Sequence, residues 1–308
     1  MRLGVVIVMG LLTSLPVLGA AQESRPTFRT TVDRVTLSVS VRTSRGRQVP
    51  NLKATDFKLY DSGILRQVTE FRADPTPVSL AFLVDFSGSM DVASRRTSAR
   101  DLVQQLLDCL TPGTDQAGLY VFDKQLRELQ PVAPAPGTIL AQLDRVERPF
   151  GVTSLFDAIA ETGKQLAAHG GLRRALVAVT DGADNASKMT PEEVSALASS
   201  IDVPVYIIVV VSPFDRAGRG TVDDARLVDG AIQGPLGNLA RWTGGEIYAG
   251  ITPLQSSKAA QEIVTDLRQQ YVITFEPGRQ AGWHPLEVRT RDENHVVRTR
   301  SGYVVDGR

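Results

Sequence analysis

The chain has 308 residues, and its 34 lysines and arginines balance 34 aspartates and glutamates. That length fits one large domain plus a small one, and the neutral balance excludes an electrostatic case for binding nucleic acid or an anionic membrane surface. The only cysteine is Cys109, which excludes an intrachain disulfide. It lies on the apolar face of a predicted helix, which favours a buried structural thiol over a reactive one.

The first 21 residues have the pattern of a secretory signal peptide. Arg2 precedes an apolar run over residues 3–18, small residues follow at 19–21, and cleavage after residue 20 or 21 fits. The alternative is an uncleaved membrane anchor, although the run is short for a span of about 20 residues and contains Pro16. We expect an exported protein, periplasmic or extracellular, with no transmembrane segment after the leader.

Residues 22–76 predict an N-terminal β segment. Thr31 to Thr43 alternates apolar and polar residues, which is typical of a half-buried strand. Shorter strands are predicted at Phe57–Tyr60 and Gln67–Phe71. The composition of residues 74–77, with two prolines, indicates a linker.

From Val78 to about Gln270 the pattern changes to alternating strands and helices. The predicted strands are Leu80–Val84, Ala117–Phe122, Ala175–Thr180, Val205–Val211 and Glu246–Tyr248. The predicted helices are Ala93–Leu110, Thr138–Val146, Ser154–Ala168, Pro191–Ile201, Ile232–Thr243 and Leu254–Gln269, with a polar loop at Ser212–Asp229. This alternation predicts an α/β fold with a doubly wound, mostly parallel sheet. Such folds bind ligands beyond the carboxyl ends of their strands.

The remaining residues, 271–308, return to a β pattern, with strands predicted at Tyr271–Phe275, Leu286–Thr290 and Val296–Val305. Neither terminal segment has enough strands for a stable sandwich. We therefore expect the two segments to pack together as one small β-sandwich-like domain, with the α/β unit of residues 77–270 inserted between them.

Three segments place oxygen ligands at the carboxyl edge of the predicted sheet. Asp85, Ser87 and Ser89 occupy alternate positions after the first buried strand, so they point the same way if the backbone stays extended. Thr153 stands at a helix start, and Asp181 follows the strand that ends at Thr180. Hydroxyl and carboxylate oxygens suit a hard cation such as Mg²⁺.

Each segment also has a simpler interpretation. Residues 85–89 could form a polar turn, Thr153 or Ser154 could be only a helix cap, and residues 180–182 could be a strand-to-loop turn. The nearby Asp157 either orients the loop or is a solvated helix residue, and Asp184 either supports a metal ligand or is a simple turn carboxylate. Three loops that offer oxygens on one side of a sheet are more specific than any one of them.

The motif Asp85-x-Ser87-x-Ser89, followed by Thr153 and Asp181-Gly182, resembles the metal-ion-dependent adhesion site of von Willebrand factor A (VWA) domains. The resemblance covers about Pro77 to Gln270. The flanks are similar to the bacterial VWFA-related group typified in Acidobacteria. That second similarity rests on the pairs Asp56-Phe57, Gln270-Tyr271 and Gly302-Tyr303.

The resemblance implies a non-enzymatic module that binds a protein partner through Mg²⁺ (or Mn²⁺). It implies that Ser87, Ser89 and Thr153 supply hydroxyl ligands, and that Asp85 and Asp181 ligate directly or through water. An acidic side chain of the partner would take an open position on the ion. The alternatives are a metal-assisted hydrolase, which lacks a His, Cys or Lys among the motif residues as general base, and a scaffold whose metal only staples loops.

Overall fold

The computed structural model describes residues 34–305 apart from 93, 135–136, 148–150, 170, 172, 211–229 and 251. The predicted signal peptide and the polar loop at 212–229 therefore lie outside the described residues. Among those described, no helix is long and apolar enough to cross a membrane.

The described chain runs from short strands, through a strand-and-helix unit, to short strands again. The first strands are β1 (Val35–Thr43), β2 (Phe57–Asp61), β3 (Ile64–Arg66) and β4 (Val68–Arg72). The middle unit contains β5 (Ser79–Asp85), α1 (Arg95–Asp108), β6 (Gln116–Phe122), β7 (Leu126–Pro134), α2 (Ile139–Asp144), α3 (Leu155–His169), β8 (Arg174–Thr180), α4 (Pro191–Ser200), β9 (Val205–Val210), α5 (Pro235–Thr243), β10 (Ile247–Gly250) and α6 (Pro253–Arg268). The last strands are β11 (Tyr271–Phe275), β12 (Gly282–Thr290), β13 (His295–Arg298) and β14 (Gly302–Val305).

The middle unit is built on one six-stranded sheet in the order β10-β9-β8-β5-β6-β7. All neighbours are parallel except β6 and β7. Successive residues of the central strand β5 point to opposite faces, so Phe82 packs with α1, α2 and α6, while Leu83 packs with α3, α4 and α5. Helices thus cover both faces of a mostly parallel sheet, which confirms the predicted fold class.

Local signals set the helix ends. Thr190 accepts a hydrogen bond from the N–H of Glu193 at 3.2 Å, and the Glu193 carboxylate accepts one from the N–H of Thr190 at 2.8 Å. This reciprocal cap and Pro191 at the first helical position start α4 as predicted. The single helix predicted at Ile232–Thr243 is wrong, because a helical turn at 230–233 is interrupted at Gly234 before α5 begins.

Strand β7 was not predicted from the sequence. It pairs antiparallel with β6 at the edge of the sheet. This strand contains Pro131 and Pro134. Proline cannot donate to a ladder and argues against a central strand, but an edge strand tolerates it. The two prolines argue against a strand in the sequence, but they are compatible with the edge position that β7 occupies.

Strands from both ends of the chain form two four-stranded sheets, ordered β13-β1-β11-β4 and β14-β12-β2-β3. In the first, β1 pairs antiparallel with β11 from Val35 beside Phe275 to Val39 beside Tyr271. In the second, β2 pairs with β12. Their facing side chains, including Leu37, Leu59 and Phe275, share one core, so the expected sandwich from both termini is present.

The strand predicted at Val296–Val305 is two strands in different sheets. The chain crosses between β13 and β14 at residues 299–301. There the buried Arg300 donates to the carbonyls of Ser199 and Thr36, both at 2.8 Å, and the N–H of Ser301 donates to the carbonyl of Trp242 at 2.8 Å. These contacts, two with the α/β unit and one with β1, interrupt the ladder.

A buried ionic cluster joins the sandwich to the α/β unit. Its centre is Asp266 on α6, which is 0% exposed. Asp266 accepts from Arg298 of β13 at 2.6 Å, from the hydroxyl of Tyr206 of β9 at 2.6 Å, and from Ser40 of β1. Arg42 of β1 lies 3.4 Å from the same carboxylate. Two strands of the sandwich are therefore tied to one helix and one strand of the middle unit.

Candidate metal centre

The first loop of the candidate site begins at the carboxyl end of β5. Asp85 is fully buried, and its two oxygens accept from the N–H of Ser87 at 2.8 Å and from the hydroxyl of Thr180 at 2.6 Å. The hydroxyl oxygens of Ser87 and Ser89 lie 3.0 Å apart. The motif therefore gathers one carboxylate and two hydroxyls at the end of the strand.

The electrostatic environment of Asp85 favours a cation. Burial raises the pKa of this carboxyl to about 6, although hydrogen bonds from Thr180 and Ser87 lower it, and the nearby charge of Asp181 raises it further. Burial and a like charge both oppose the ionised form, and a positive charge at the same place would restore it.

The second loop follows β8. Because β5 and β8 are parallel neighbours in register, Asp181 emerges beside Asp85, as the sequence predicted. Gly182 has φ +86°, in the left-handed region that glycine adopts readily, and its N–H donates to the Thr180 hydroxyl at 3.0 Å. Asp181 accepts from the guanidinium of Arg95 at 3.2 Å, a contact that the sequence reading missed.

The third loop carries Thr153, which is 2% exposed. Its N–H donates to the side-chain oxygen of Asn185 at 2.8 Å, and its carbonyl accepts from the N–H groups of Asn185 and Ala186, both at 3.0 Å. On the other side, the carbonyl oxygen of Gly151 lies 3.9 Å from the position that a Cβ would take on Gly88. This loop therefore lies between the first two.

The start of α3 is bonded by the loop after β8. Asp184 accepts from the N–H of Leu155 at 2.8 Å, and the Ser187 hydroxyl accepts from those of Phe156 at 3.0 Å and Asp157 at 3.2 Å. These groups occupy the capping role considered for Thr153 and Ser154.

Both nearby carboxylates orient loops. Asp184 also accepts from the Ser187 hydroxyl at 2.6 Å, and Asp157 accepts from the N–H groups of Lys188 and Met189. The sequence could have indicated Thr180, which precedes Asp181 at a strand end. The roles of Asn185, Ser187 and Arg95 depend on contacts between distant segments, for which the sequence carries no local signal.

The donor set fits a hard divalent cation. Across the described residues there is no group of three or more His, Cys, Asp or Glu side chains that could hold a metal. A metal at this edge would therefore depend on the hydroxyls of Ser87, Ser89 and Thr153 together with Asp85 and Asp181. Such oxygens suit Mg²⁺ or Mn²⁺ rather than a soft metal.

The sequence model of the von Willebrand factor type A domain matches residues 80–183, the segment that contains all five candidate ligands. The chain contains a VWA domain. The matched segment includes the central strand β5 and its neighbours β6 and β8. The similarity to the Acidobacteria-type group stays a prediction. A search of curated proteins returned no match.

Solved structures with similar folds include proximal thread matrix protein 1 from the mussel byssus, with a zinc occupied MIDAS motif. It is 17% identical, with 66% of this chain and 48% of that one covered and a TM-score of 0.50. BatB from Bacteroides thetaiotaomicron is 19% identical, with 62% of this chain and 98% of BatB covered and a TM-score of 0.49. A von Willebrand factor type A protein from Catenulispora acidiphila is 12% identical, with 89% of this chain and 75% of that protein covered and a TM-score of 0.49. At 17% identity, the likeness between the mussel protein and this VWA domain concerns the fold alone.

Proposed function

We propose that this chain is an exported protein whose VWA domain, residues 77–270, binds a protein partner through Mg²⁺ or Mn²⁺. The proposed ligands are Asp85, Ser87, Ser89, Thr153 and Asp181. The observation that carries the proposal is the buried Asp85 carboxylate, which meets the paired hydroxyls of Ser87 and Ser89 beside Asp181. The mussel protein of similar fold, with its zinc occupied MIDAS motif, supports a divalent cation in this domain.

The charge of the proposed site supports an acidic partner. Two carboxylates supply the only negative charge in the ligand set, and Asp181 is also paired with Arg95. A dication in this set would remain short of negative charge, so a carboxylate from another molecule would complete both charge and coordination. The site lies at the carboxyl edge of the sheet, where α/β folds bind ligands.

Hydrolysis is less well supported. A metal-assisted hydrolase needs a general base near the metal or its bound water. The chain's three histidines lie elsewhere: His169 ends α3, while His284 and His295 are on sandwich strands. Lys188 is exposed, and its N–H bonds Asp157 outside the proposed ligand set. Protein binding therefore explains the site better than catalysis.

Calorimetric titration with Mg²⁺ and Mn²⁺ tests the metal assignment. Asp85→Asn retains the size of a fully buried side chain but removes its charge, and we expect it to abolish binding. The matched control is Asp91→Asn, which removes an exposed carboxylate from the same loop, paired there with Arg96 at 3.1 Å. Equal titrations for wild type and Asp85→Asn would refute the assignment.

Affinity capture tests the partner assignment. Wild-type protein and Asp85→Asn are immobilised, exposed to envelope extract of the exporting cell in Mg²⁺, and eluted with chelator. We expect a protein that elutes only from the wild type and only with chelator. A crystal structure of that complex would then locate the acidic group: a metal saturated by this chain alone would support the staple alternative instead.

A further inference from the structure

Arg95, the first residue of α1, places a positive charge between two of the proposed metal loops. Its Nη1 donates to the carbonyl of Ser89 at 2.7 Å and to the carboxylate of Asp181 at 3.2 Å. The Arg95 side chain is 11% exposed and that of Asp181 is 9% exposed. The pair is therefore largely shielded from water. In such a shielded place charges interact more strongly than on an open surface.

The local backbone supports a positioned rather than incidental contact. Ser94, immediately before Arg95, has φ +67°, a left-handed conformation that is uncommon for residues other than glycine. The next residue, Arg96, bonds Asp91 at 3.1 Å and the carbonyl of Val146 at 2.9 Å, with its guanidinium over the ring of Phe86. Two consecutive arginines thus contact different partners, and only Arg95 meets a proposed metal ligand.

We propose that Arg95 competes with the divalent cation for Asp181 and so sets the metal affinity of the site. This inference rests on the proposed function. A dication and a guanidinium that share one carboxylate repel each other, and each weakens the hold of the other on Asp181. When the ion leaves, Arg95 keeps Asp181 paired, so that Asp85 and Asp181 do not face each other uncompensated. The site therefore binds and releases its metal without losing the arrangement of the loops.

The test is calorimetric titration of the full chain with Mg²⁺ and Mn²⁺, using wild type, Arg95→Gln and the neighbouring control Arg96→Gln. We expect Arg95→Gln to bind both ions at least about tenfold more tightly, because removing a nearby unit charge changes the binding free energy by more than one tenfold step. Arg96→Gln should match the wild type. Equal or weaker binding by Arg95→Gln overturns the proposal.

Thermal unfolding gives a second readout that does not depend on partner binding. In chelator, Arg95→Gln should unfold at a lower temperature than wild type, because Asp181 and the Ser89 carbonyl lose their donor. Added Mg²⁺ should raise its midpoint by more than it raises that of wild type, since tighter binding to the folded state stabilises it more. An equal or smaller rise contradicts competition. If Arg95→Gln does not fold, Arg95→Met replaces it, keeping the apolar part of the side chain, with the same expectations.

Asp85→Asn, titrated in parallel, separates this inference from the proposed function. If wild type binds metal, Asp85→Asn does not, and Arg95→Gln equals wild type, the metal site stands and the competition falls. If Asp85→Asn binds like wild type, the proposed ligand set itself falls. If Arg95→Gln binds metal and wild type does not, the competition is supported. If neither wild type nor Arg95→Gln binds metal, both proposals are overturned.

Discussion

Replacing Asp266 by asparagine should destabilise the protein more than any exposed charge change on the same helix. Asp266→Asn preserves the shape of the side chain and removes its charge. Arg298 and Arg42 would then lose their fully buried counter-charge. The carboxylate that would remain for them in the cluster is that of Glu246, which contacts Arg298 and lies 3.3 Å from Arg42. The desolvated guanidinium groups, rather than the lost bonds alone, set the cost.

The expected loss is about 3–5 kcal/mol, the usual cost of removing one partner from a buried ion pair. Domains are stable by only about 5–15 kcal/mol, so the change should be plain in chemical denaturation. The matched control is Glu262→Gln on α6, whose carboxylate lies 3.7 Å from exposed Lys258. A surface pair of this kind contributes about 0.3–0.5 kcal/mol.

Tryptophan fluorescence can follow both parts of the molecule. The chain has 2 tryptophans: Trp242 lies on α5 of the α/β unit and Trp283 on β12 of the sandwich. Each can be followed alone in a background where the other is phenylalanine. We expect one common transition in wild type, and an earlier loss at both probes in Asp266→Asn. A change below about 1 kcal/mol, or equal to that of Glu262→Gln, would refute the view that the buried charge is essential.

The same cluster predicts a pH dependence. Burial alone would raise the pKa of Asp266, but the charges of Arg298 and Arg42 and the hydrogen bonds from Ser40 and Tyr206 hold it below its ordinary value. A lowered folded-state pKa stabilises the protein above the unfolded-state pKa, and that contribution disappears as pH falls through the folded-state value. The difference between wild type and Asp266→Asn should therefore shrink in acid, and a difference that grows would contradict this.

Three further predictions concern the sandwich and the metal site. Hydrogen bonds from His284 and the N–H of Gly278 outweigh burial and lower the pKa of Asp61. The free energy of unfolding of Asp61→Asn should therefore fall less than that of wild type as the pH is lowered. Equal falls in the two proteins, measured by chemical denaturation over a pH series, would contradict this. Thr153→Ala should weaken Mg²⁺ binding about tenfold or more while costing about 1 kcal/mol or less of stability, and unchanged calorimetry would remove Thr153 from the ligand set. Deleting residues 271–308 removes β11 and β13 from beside β1 and should cause aggregation; a monomeric, fully folded truncation in size-exclusion chromatography would argue against the shared core.

Sequence patterns predicted the parts of the fold that depend on local periodicity. The buried run of β5 and the alternation of strands and helices placed Asp85 and Asp181 at one edge of the sheet, and the structure brings them together. The split between β13 and β14 could not be predicted, because Arg300 interrupts the ladder by contacts with distant segments. The Asp266 cluster was equally hidden, since its partners come from positions 40, 42, 206 and 298.

The insertion of the α/β unit into the sandwich has a mechanical consequence. The unit is tethered on both sides, through residues 73–78 after β4 and residues 269–270 before β11, at the end of the sheet opposite Asp85. Tension applied at the metal edge would enter two adjacent strands, β4 and β11, in the same direction. With the chain held before Val35, it would load the ladder between β1 and β11 in shear, from Val35 beside Phe275 to Val39 beside Tyr271. All of those hydrogen bonds would then resist together rather than open one after another.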